Sequence, residues 1–404
     1  MPRLKREVGL IGILSAGIGV ILGAGIYALI GKAAIFSGNM LWLSFLIASI
    51  VAMFTGLSYA ELSSKFPKAG GEFVYVSRII NKKLANLVGF ALILVGVFSC
   101  ATLCIAFGGY LKSMLNTPII LFGILLILFI ALINYIGIKF SIKFNIIATI
   151  IEVAGLIIII VLGIKYFGTV NYIETPETGI IGIFTAIGII FFAYLGFEDI
   201  VNLAEETKHA RKLMPIAVVA SLIITTLLYI LVSLSAVSII GFQELGLSDS
   251  PLTLIFQTAT GLRFGGLFSI IALFSIFNTV LLLFIAATRI AYSMGINKSL
   301  PLIFGKLDER TRTPYFSIII LAILTILVII MGNISLAAQL TNIVILAVFV
   351  VINIAVIKLR YSGLNVRGFN VPLNIGRFPL LPLFGAVSSF IILIITFLNV
   401  INVI

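Results

Sequence analysis

Eleven apolar stretches fill most of this 404-residue chain, at about 8–31, 40–62, 85–113, 117–137, 143–167, 180–203, 214–240, 264–293, 314–331, 335–357 and 379–402. About 20 consecutive apolar residues carry an α-helix across the hydrocarbon of a bilayer. Inside lipid a helix satisfies every backbone N–H and C=O within its own segment. The polar segments between the stretches are short, and none is long enough for a soluble domain. Only 10% of the residues are charged and 61% are hydrophobic, whereas soluble domains carry roughly 25% charged residues. The expected fold class is therefore an all-α integral membrane protein. A soluble enzyme, a disordered regulator and a nucleic-acid binder are excluded, despite the formal net charge of +12. The basic run Arg3 to Arg6 precedes an apolar segment that is too long for a signal peptide and lacks a cleavage site, so it reads as a first transmembrane helix.

Basic residues set the orientation. With a cytoplasmic N-terminus, only Lys32, Lys112, Lys165 and Arg263 of the 26 Lys and Arg residues fall on the outer side. Cytoplasmic loops are enriched in Lys and Arg, so the chain is expected to be a multi-pass protein of the cell membrane, N-terminus inside and C-terminus outside. Trp42 and Tyr27 fall near outer helix ends, where amphipathic rings favour the interface. Two cysteines and one histidine supply neither a disulfide framework nor a zinc site. No metal, no cofactor and no catalytic residue is expected.

Two stretches contain residues that a plain membrane helix avoids. The first carries glycines at 17, 19, 23 and 25, and the sixth reads Phe191-Phe192-Ala193-Tyr194-Leu195-Gly196-Phe197-Glu198-Asp199. Each interior glycine costs about 1 kcal/mol relative to Ala in a helix. Gly19 and Gly23 also match a small-xxx-small packing face. Stretches one and six are the first members of two five-helix blocks. Five is odd, so the second block enters the membrane from the opposite side. Inverted repeats with matched broken helices point to the central site of a secondary transporter. The expected organisation is a first repeat at 1–170, a second at 171–360, and a loop with a peripheral eleventh helix at 361–404.

A broken helix exposes free N–H groups at one new end and free C=O groups at the other. The N–H end suits a carboxylate and the C=O end suits an ammonium, so a site using both favours an α-amino acid. The amides of Ala24, Gly25 and Ile26 are expected to take the carboxylate, and the carbonyls of Ile21, Phe192 and Leu195 the amine. Glycine at 23 and 25 would let the ligand approach the main chain.

Two acids lie inside apolar stretches. Glu152 is about 14 Å into the fifth at 1.5 Å per residue, and Glu198 follows the glycine of the sixth. A carboxylate at the bilayer centre costs about 2.5–3.5 kcal/mol and defaults to a functional hypothesis. A carboxyl in apolar surroundings can exchange protons near neutrality, so Glu152 and Glu198 are the candidate proton-coupling residues. The alternative for each is a hydrogen-bonded structural acid. The inner segments Phe66 to Glu72 and Ala204 to Lys212 read as solvated turns, with a gating role as the alternative.

Four segments carry a wider likeness: Gly23-Ala24-Gly25-Ile26-Tyr27; Ser58-Tyr59-Ala60-Glu61-Leu62 with Phe66-Pro67-Lys68-Ala69-Gly70-Gly71-Glu72-Phe73-Val74-Tyr75; Phe191 to Glu198 with Ala204 to Lys208; and Phe277-Asn278-Thr279 through Arg289 to Met294, then Arg312-Thr313-Pro314. In these the chain resembles the amino acid–polyamine–organocation (APC) transporters, particularly the cationic amino acid transporter branch and its prokaryotic relatives. The resemblance implies a leucine-transporter-type five-plus-five inverted repeat with helices 1 and 6 broken and about eleven transmembrane helices. It implies substrate binding at Ile21, Gly23, Ala24, Gly25, Ile26, Phe192, Ala193 and Leu195, with Phe192 as gate and Glu198 tied to proton response. Many proton-coupled relatives have a lysine where this chain has Glu152, which leaves Na+ open beside H+ as the coupling ion. Many relatives also have twelve or more spans.

The expected function is secondary active transport of amino acids by alternating access, with proton symport the first reading and obligatory exchange the alternative. An intramembrane enzyme would need a nucleophile and base at one depth, and no such group is visible. A channel filter is not visible either. The side-chain pocket is expected from spans three, six, eight and ten, with Phe98, Cys100, Ser275, Asn278 and Asn342 as candidate lining. The lean is toward small or apolar neutral amino acids. The expected partners are the amino acid substrate and the lipid bilayer, with the oligomeric state open.

Overall fold

A computed structural model describes residues 6–115, 118–177, 179–248, 251–261, 266–331, 334–364 and 366–403. The first half comprises α1 Leu10–Ser37, α2 Leu41–Lys65, α3 Gly71–Ile79, α4 Lys82–Leu115, α5 Ile119–Ile136 and α6 Ile138–Gly163. The second comprises α7 Gly179–Tyr194, α8 Ala210–Ile239, α9 Phe242–Leu247, α10 Pro251–Thr260, α11 Gly266–Ile296, α12 Tyr315–Met331, α13 Ile334–Leu359 and α14 Leu380–Val403. A two-residue antiparallel hairpin, β1 Asn374–Ile375 with β2 Phe378–Pro379, precedes α14.

Among the described residues, nine helices are long and apolar enough to cross a membrane. Two shorter apolar helices, Gly179–Phe191 and Tyr315–Ile330, occupy the sixth and ninth of the expected positions. The sixth is short because α7 stops at Tyr194, and the chain continues through a turn into a 3-10 segment, Asp199–Leu203. Gly196 lies in that turn at φ 118°, and a Cβ there would come within 2.8 Å of Val20. Only glycine meets both demands at no steric cost.

Burial sorts the helices into an inner and an outer set. In α1 and α11, 71% and 72% of the apolar span is buried, against 33% in α5 and α14. α1 packs against α6, α7, α8 and α11, so it runs through the centre of the bundle. The outer helices turn large apolar side chains outward, among them Leu87, Ile150, Ile181, Leu227 and Ile323. In water such a surface would be an aggregation liability; in lipid it is the required one. Trp42 donates its indole N–H to the Tyr172 carbonyl at 3.0 Å. Tyr27 departs from the interfacial expectation. It is 5% exposed, and its hydroxyl turns inward, 3.4 Å from the Glu152 carbonyl oxygen.

Buried ion pairs tie the ends of these helices together. Arg289 of α11 is fully buried and grips Glu206 with two nitrogens, Nη2 to Oε1 at 3.1 Å and Nε to Oε2 at 3.3 Å, while Nη1 donates to Asn134 Oδ1 at 2.9 Å. The Glu206 carbonyl accepts from Val8 N–H at 3.0 Å, which binds the segment before α1 to the same loop. Glu61 of α2, also fully buried, receives Lys65 Nζ and Arg360 Nη2 at 2.6 Å each and Val371 N–H at 2.7 Å.

Candidate functional site

The helical path of α1 is interrupted at Gly23, whose φ of −16° and ψ of −158° are non-helical. The end of α7 lies beside this interruption. A Cβ added at Gly25 would come within 2.8 Å of Ala193 Cα, so the two main chains touch beside the interruption of α1 and the end of α7. A Cβ at Gly23 would overlap the Thr279 side chain of α11. Both glycines are thus required by close approach.

A cavity of about 90 Å³ opens at this junction. Val20, Ile21, Gly23 and Gly25 of α1 border it, as do Leu195, Gly196, Glu198 and Asp199 after α7. α4 adds Ser99 and Thr102 on one wall, α11 adds Thr279 and Leu283, and α13 adds Thr341 and Ile345. These are the expected third, eighth and tenth spans, but the side chains are neighbours of the expected ones. Ser99 stands in place of Phe98 or Cys100, Thr279 in place of Ser275 or Asn278, and Thr341 in place of Asn342. Cys100 is fully buried, with its Sγ 3.8 Å from the Val280 carbonyl.

Of the residues expected to bind substrate, Ile21, Gly23, Gly25 and Leu195 border the cavity, whereas Ile26 and Ala193 are buried behind it. The side chains of Ala24 and Phe192, the expected gate among them, lie outside the described residues. Tyr229 of α8 was not anticipated. Its hydroxyl lies 2.6 Å from the Ile21 carbonyl and 3.0 Å from the Ala193 carbonyl, so one O–H serves the main chains of both α1 and α7.

The two candidate proton-coupling acids occupy different places. Glu198 borders the cavity, is 4% exposed, and accepts the Gly196 N–H at 2.8 Å. Glu152 is fully buried in a polar cluster between α1, α6 and α11, off the described lining. Asn278 Nδ2 stands 3.4 Å from both Glu152 oxygens and 3.1 Å from Thr149 Oγ1. Thr149 donates to the Ser15 carbonyl at 3.2 Å, and Asn145 Nδ2 donates to Asn278 Oδ1 at 2.7 Å.

A third acid reaches the cavity from α3. The sequence places Glu72 in a solvated turn; in the structure it is 1% exposed and borders the cavity. Tyr59 donates its hydroxyl to Glu72 Oε1 at 3.0 Å. Burial pushes the Glu72 carboxyl up to about 8; the negative charge of Glu198 adds to the rise, while its own backbone N–H and the Tyr59 hydroxyl oppose it. The paired glycines before it, Gly70 and Gly71 at φ 90° and 28°, are the sequence signal that this turn folds inward rather than out to solvent.

The chain matches the model of one protein family, described as amino acid permease, over residues 8–403. It is similar to the branched-chain amino acid permease BcaP of Bacillus subtilis, 28% identical over 91% of this chain and 84% of the relative. It is 29% identical to the methylthioribose transporter of the same organism, over 95% of this chain and 87% of the relative. It is 28% identical to the vacuolar cationic amino acid transporter 4 of Arabidopsis thaliana, over 89% of this chain and 64% of the relative.

Proposed function

The chain belongs to the amino acid permease family, and from that premise we propose that it carries an α-amino acid across the cell membrane by alternating access, coupled to protons. The observation that carries this reading is the junction of α1 and α7, where the non-helical Gly23 and the end at Tyr194 meet on one wall of a cavity. Main-chain groups freed from helical bonding at such a junction offer N–H donors to a carboxylate and C=O acceptors to an ammonium. The Ile21 carbonyl keeps one lone pair beyond the Tyr229 hydroxyl for that amine. In this reading residues 1–170 and 171–360 are inverted repeats, residues 361–404 are peripheral, and the N-terminus is cytoplasmic.

The cavity also bears on the substrate. At 10–15 Å³ for each water-sized group, its volume holds roughly six to nine of them, which suits an α-amino acid with a short or medium side chain. Ser99, Thr102, Thr279 and Thr341 are the uncharged polar groups beside its aliphatic walls. Relatives are named for branched-chain amino acids, methylthioribose and cationic amino acids, so the substrate is a property of this cavity rather than of the family. We assign it to small or apolar neutral amino acids.

Uptake of a labelled amino-acid panel into proteoliposomes, with and without an imposed pH gradient, tests both parts. Accumulation of a neutral amino acid driven by an inward proton gradient is the expected result. Counterflow without net accumulation would establish an exchanger instead, and absence of any saturable amino-acid flux would end the proposal.

A further inference from the structure

Glu72 belongs to neither of the two helices that meet at the cavity, and its two carboxyl oxygens are unequal. Oε1 accepts the Tyr59 hydroxyl at 3.0 Å; Oε2 is buried without a hydrogen-bond partner among the described residues. The ionisable side chains bordering the cavity with it are Glu198 and Asp199. From α4, α11 and α13 the described lining is aliphatic, glycine, serine or threonine. The other titratable groups close by are Tyr59 of α2 and Tyr75 of its own helix, both fully buried. No Lys, Arg or His borders the cavity among the described residues. The buried bases nearby are committed elsewhere, Arg289 to Glu206 and Lys65 with Arg360 to Glu61.

A carboxyl that is buried, short of donors, near a second acid and without a cation is stable as the neutral acid and unstable as the anion. Admitting water reverses that preference. The change of preference between a closed and a hydrated cavity is what links a proton to a conformational step. We propose that Glu72 is a further proton-carrying residue of the transport cycle, protonated while the cavity is closed and deprotonated when its inner end hydrates. The O–H bond of the carboxyl breaks, the proton passes to water entering from the inner side, and the carboxylate is left with Tyr59 as its donor. Another proton, taken from the outer side, reprotonates Oε2 before the cavity closes again. This rests on the proton-coupled reading above and adds to it a residue outside the interrupted helices.

The experiment is uptake in proteoliposomes across roughly pH 5–9, read beside counterflow, which needs no net proton movement and reports folded carrier. Wild-type uptake is expected to fall as pH rises through about 8. Glu72→Gln is expected to lose that limb while retaining counterflow. Tyr59→Phe keeps its ring contacts with Phe197 and Phe349 but removes the side-chain donor to the carboxylate, so its limb is expected at higher pH than in the wild type. A wild-type limb that survives unchanged in both variants overturns the role of Glu72 and leaves proton coupling standing. A wild type indifferent to pH and to an imposed gradient overturns both. Should Glu72→Gln yield no counterflow, the Tyr59→Phe shift decides alone.

Discussion

The Tyr229 hydroxyl stands 2.6 Å from the carbonyl oxygen of Ile21, so a side chain of α8 holds the main chain of α1 two residues before its interruption. The same oxygen is 3.0 Å from the Ala193 carbonyl, one residue before α7 ends. A hydroxyl has one proton to donate. The two carbonyls therefore share it, and α1 cannot leave α7 without one of them losing its donor.

Replacing Tyr229 with Phe is expected to keep the ring packed against Phe45 and Tyr194, each 5.3 Å away between centroids, and to remove only the hydroxyl. A buried acceptor left without its donor costs about 1–3 kcal/mol. The expected outcome is a lower melting temperature in detergent together with a raised KM for uptake. An unchanged melting curve with unchanged KM would mean that the shared hydrogen bond carries no weight.

The close approaches at Gly23 and Gly25 make separable predictions. A methyl group at either position overpacks the junction, at about 1–3 kcal/mol, or about 5- to 150-fold in uptake if the whole effect falls on transport. Gly23→Ala meets the Thr279 side chain, which Thr279→Ala can relieve; Gly25→Ala meets the Ala193 main chain, which it cannot. Uptake by the two double variants measures the difference, and equal rescue of both would contradict the geometry.

Glu152 and Glu198 lie in separate surroundings, one in a polar cluster and one on the cavity wall. If both carry coupling protons, Glu152→Gln and Glu198→Gln should each alter the pH dependence of uptake, and the double variant should combine the two changes because distant sites add. Proteoliposome uptake over a pH series reads this directly. Identical pH profiles in the wild type and in both single variants remove these acids from the coupling scheme.

Arg289→Gln is expected to destabilise the protein by about 3–5 kcal/mol, because it strands the buried carboxylate of Glu206. Arg289→Gln combined with Glu206→Gln should recover most of that loss, since no unpaired charge then remains. Melting temperatures of the two variants in detergent decide the matter. A double variant as unstable as the single one would place the cost in lost packing instead.

Glu72 also makes stability depend on pH. Its carboxyl sits at about 8 in the fold against an ordinary value of 4.5, so the folded protein binds this proton more tightly than the unfolded chain. The resulting stabilisation is complete below the ordinary value, and it is lost progressively as pH rises toward about 8. Wild-type protein in detergent should lose melting temperature across that window more steeply than Glu72→Gln does. Parallel curves would show that the proton on Glu72 adds nothing to the fold.

The helices were legible because lipid imposes one simple rule, a long apolar run per crossing. The chemically important irregularities at Gly23 and after Tyr194 were legible because glycine and acids are conspicuous inside such runs. Which side chain of a span faces the cavity was not. A helix buried among other helices is apolar all round, so nothing in the pattern separates Ser99 from Cys100 or Thr341 from Asn342. Tyr229 and Glu72 were missed for different reasons. Tyr229 is one tyrosine in an apolar run, and its role depends on two carbonyls brought together only by the fold. Glu72 sits among charged residues that read as topology signals, and its burial follows from a glycine pair that turns α3 inward. Arg289 and Glu206 were read separately, one as an inner-side charge and one as part of a family segment, and they are a single buried pair.

The clasp at Glu61 reaches further than its three donors suggest. It fixes Arg360 and Val371, on either side of the chain's return from α13, to α2. Beside it Ser64 accepts from Phe369 N–H at 2.9 Å and donates to the Arg211 carbonyl at 2.6 Å, adding α8 to the knot. At its other end α13 presents Thr341 to the cavity, about 27 Å from Leu359 at 1.5 Å per residue. α13 is thus a rod with Thr341 on the cavity wall toward one end and Arg360, just past the other, clasped to α2. On the proposed transport reading, a push from an occupant beside Thr341 would reach α2 as a tilt of α13.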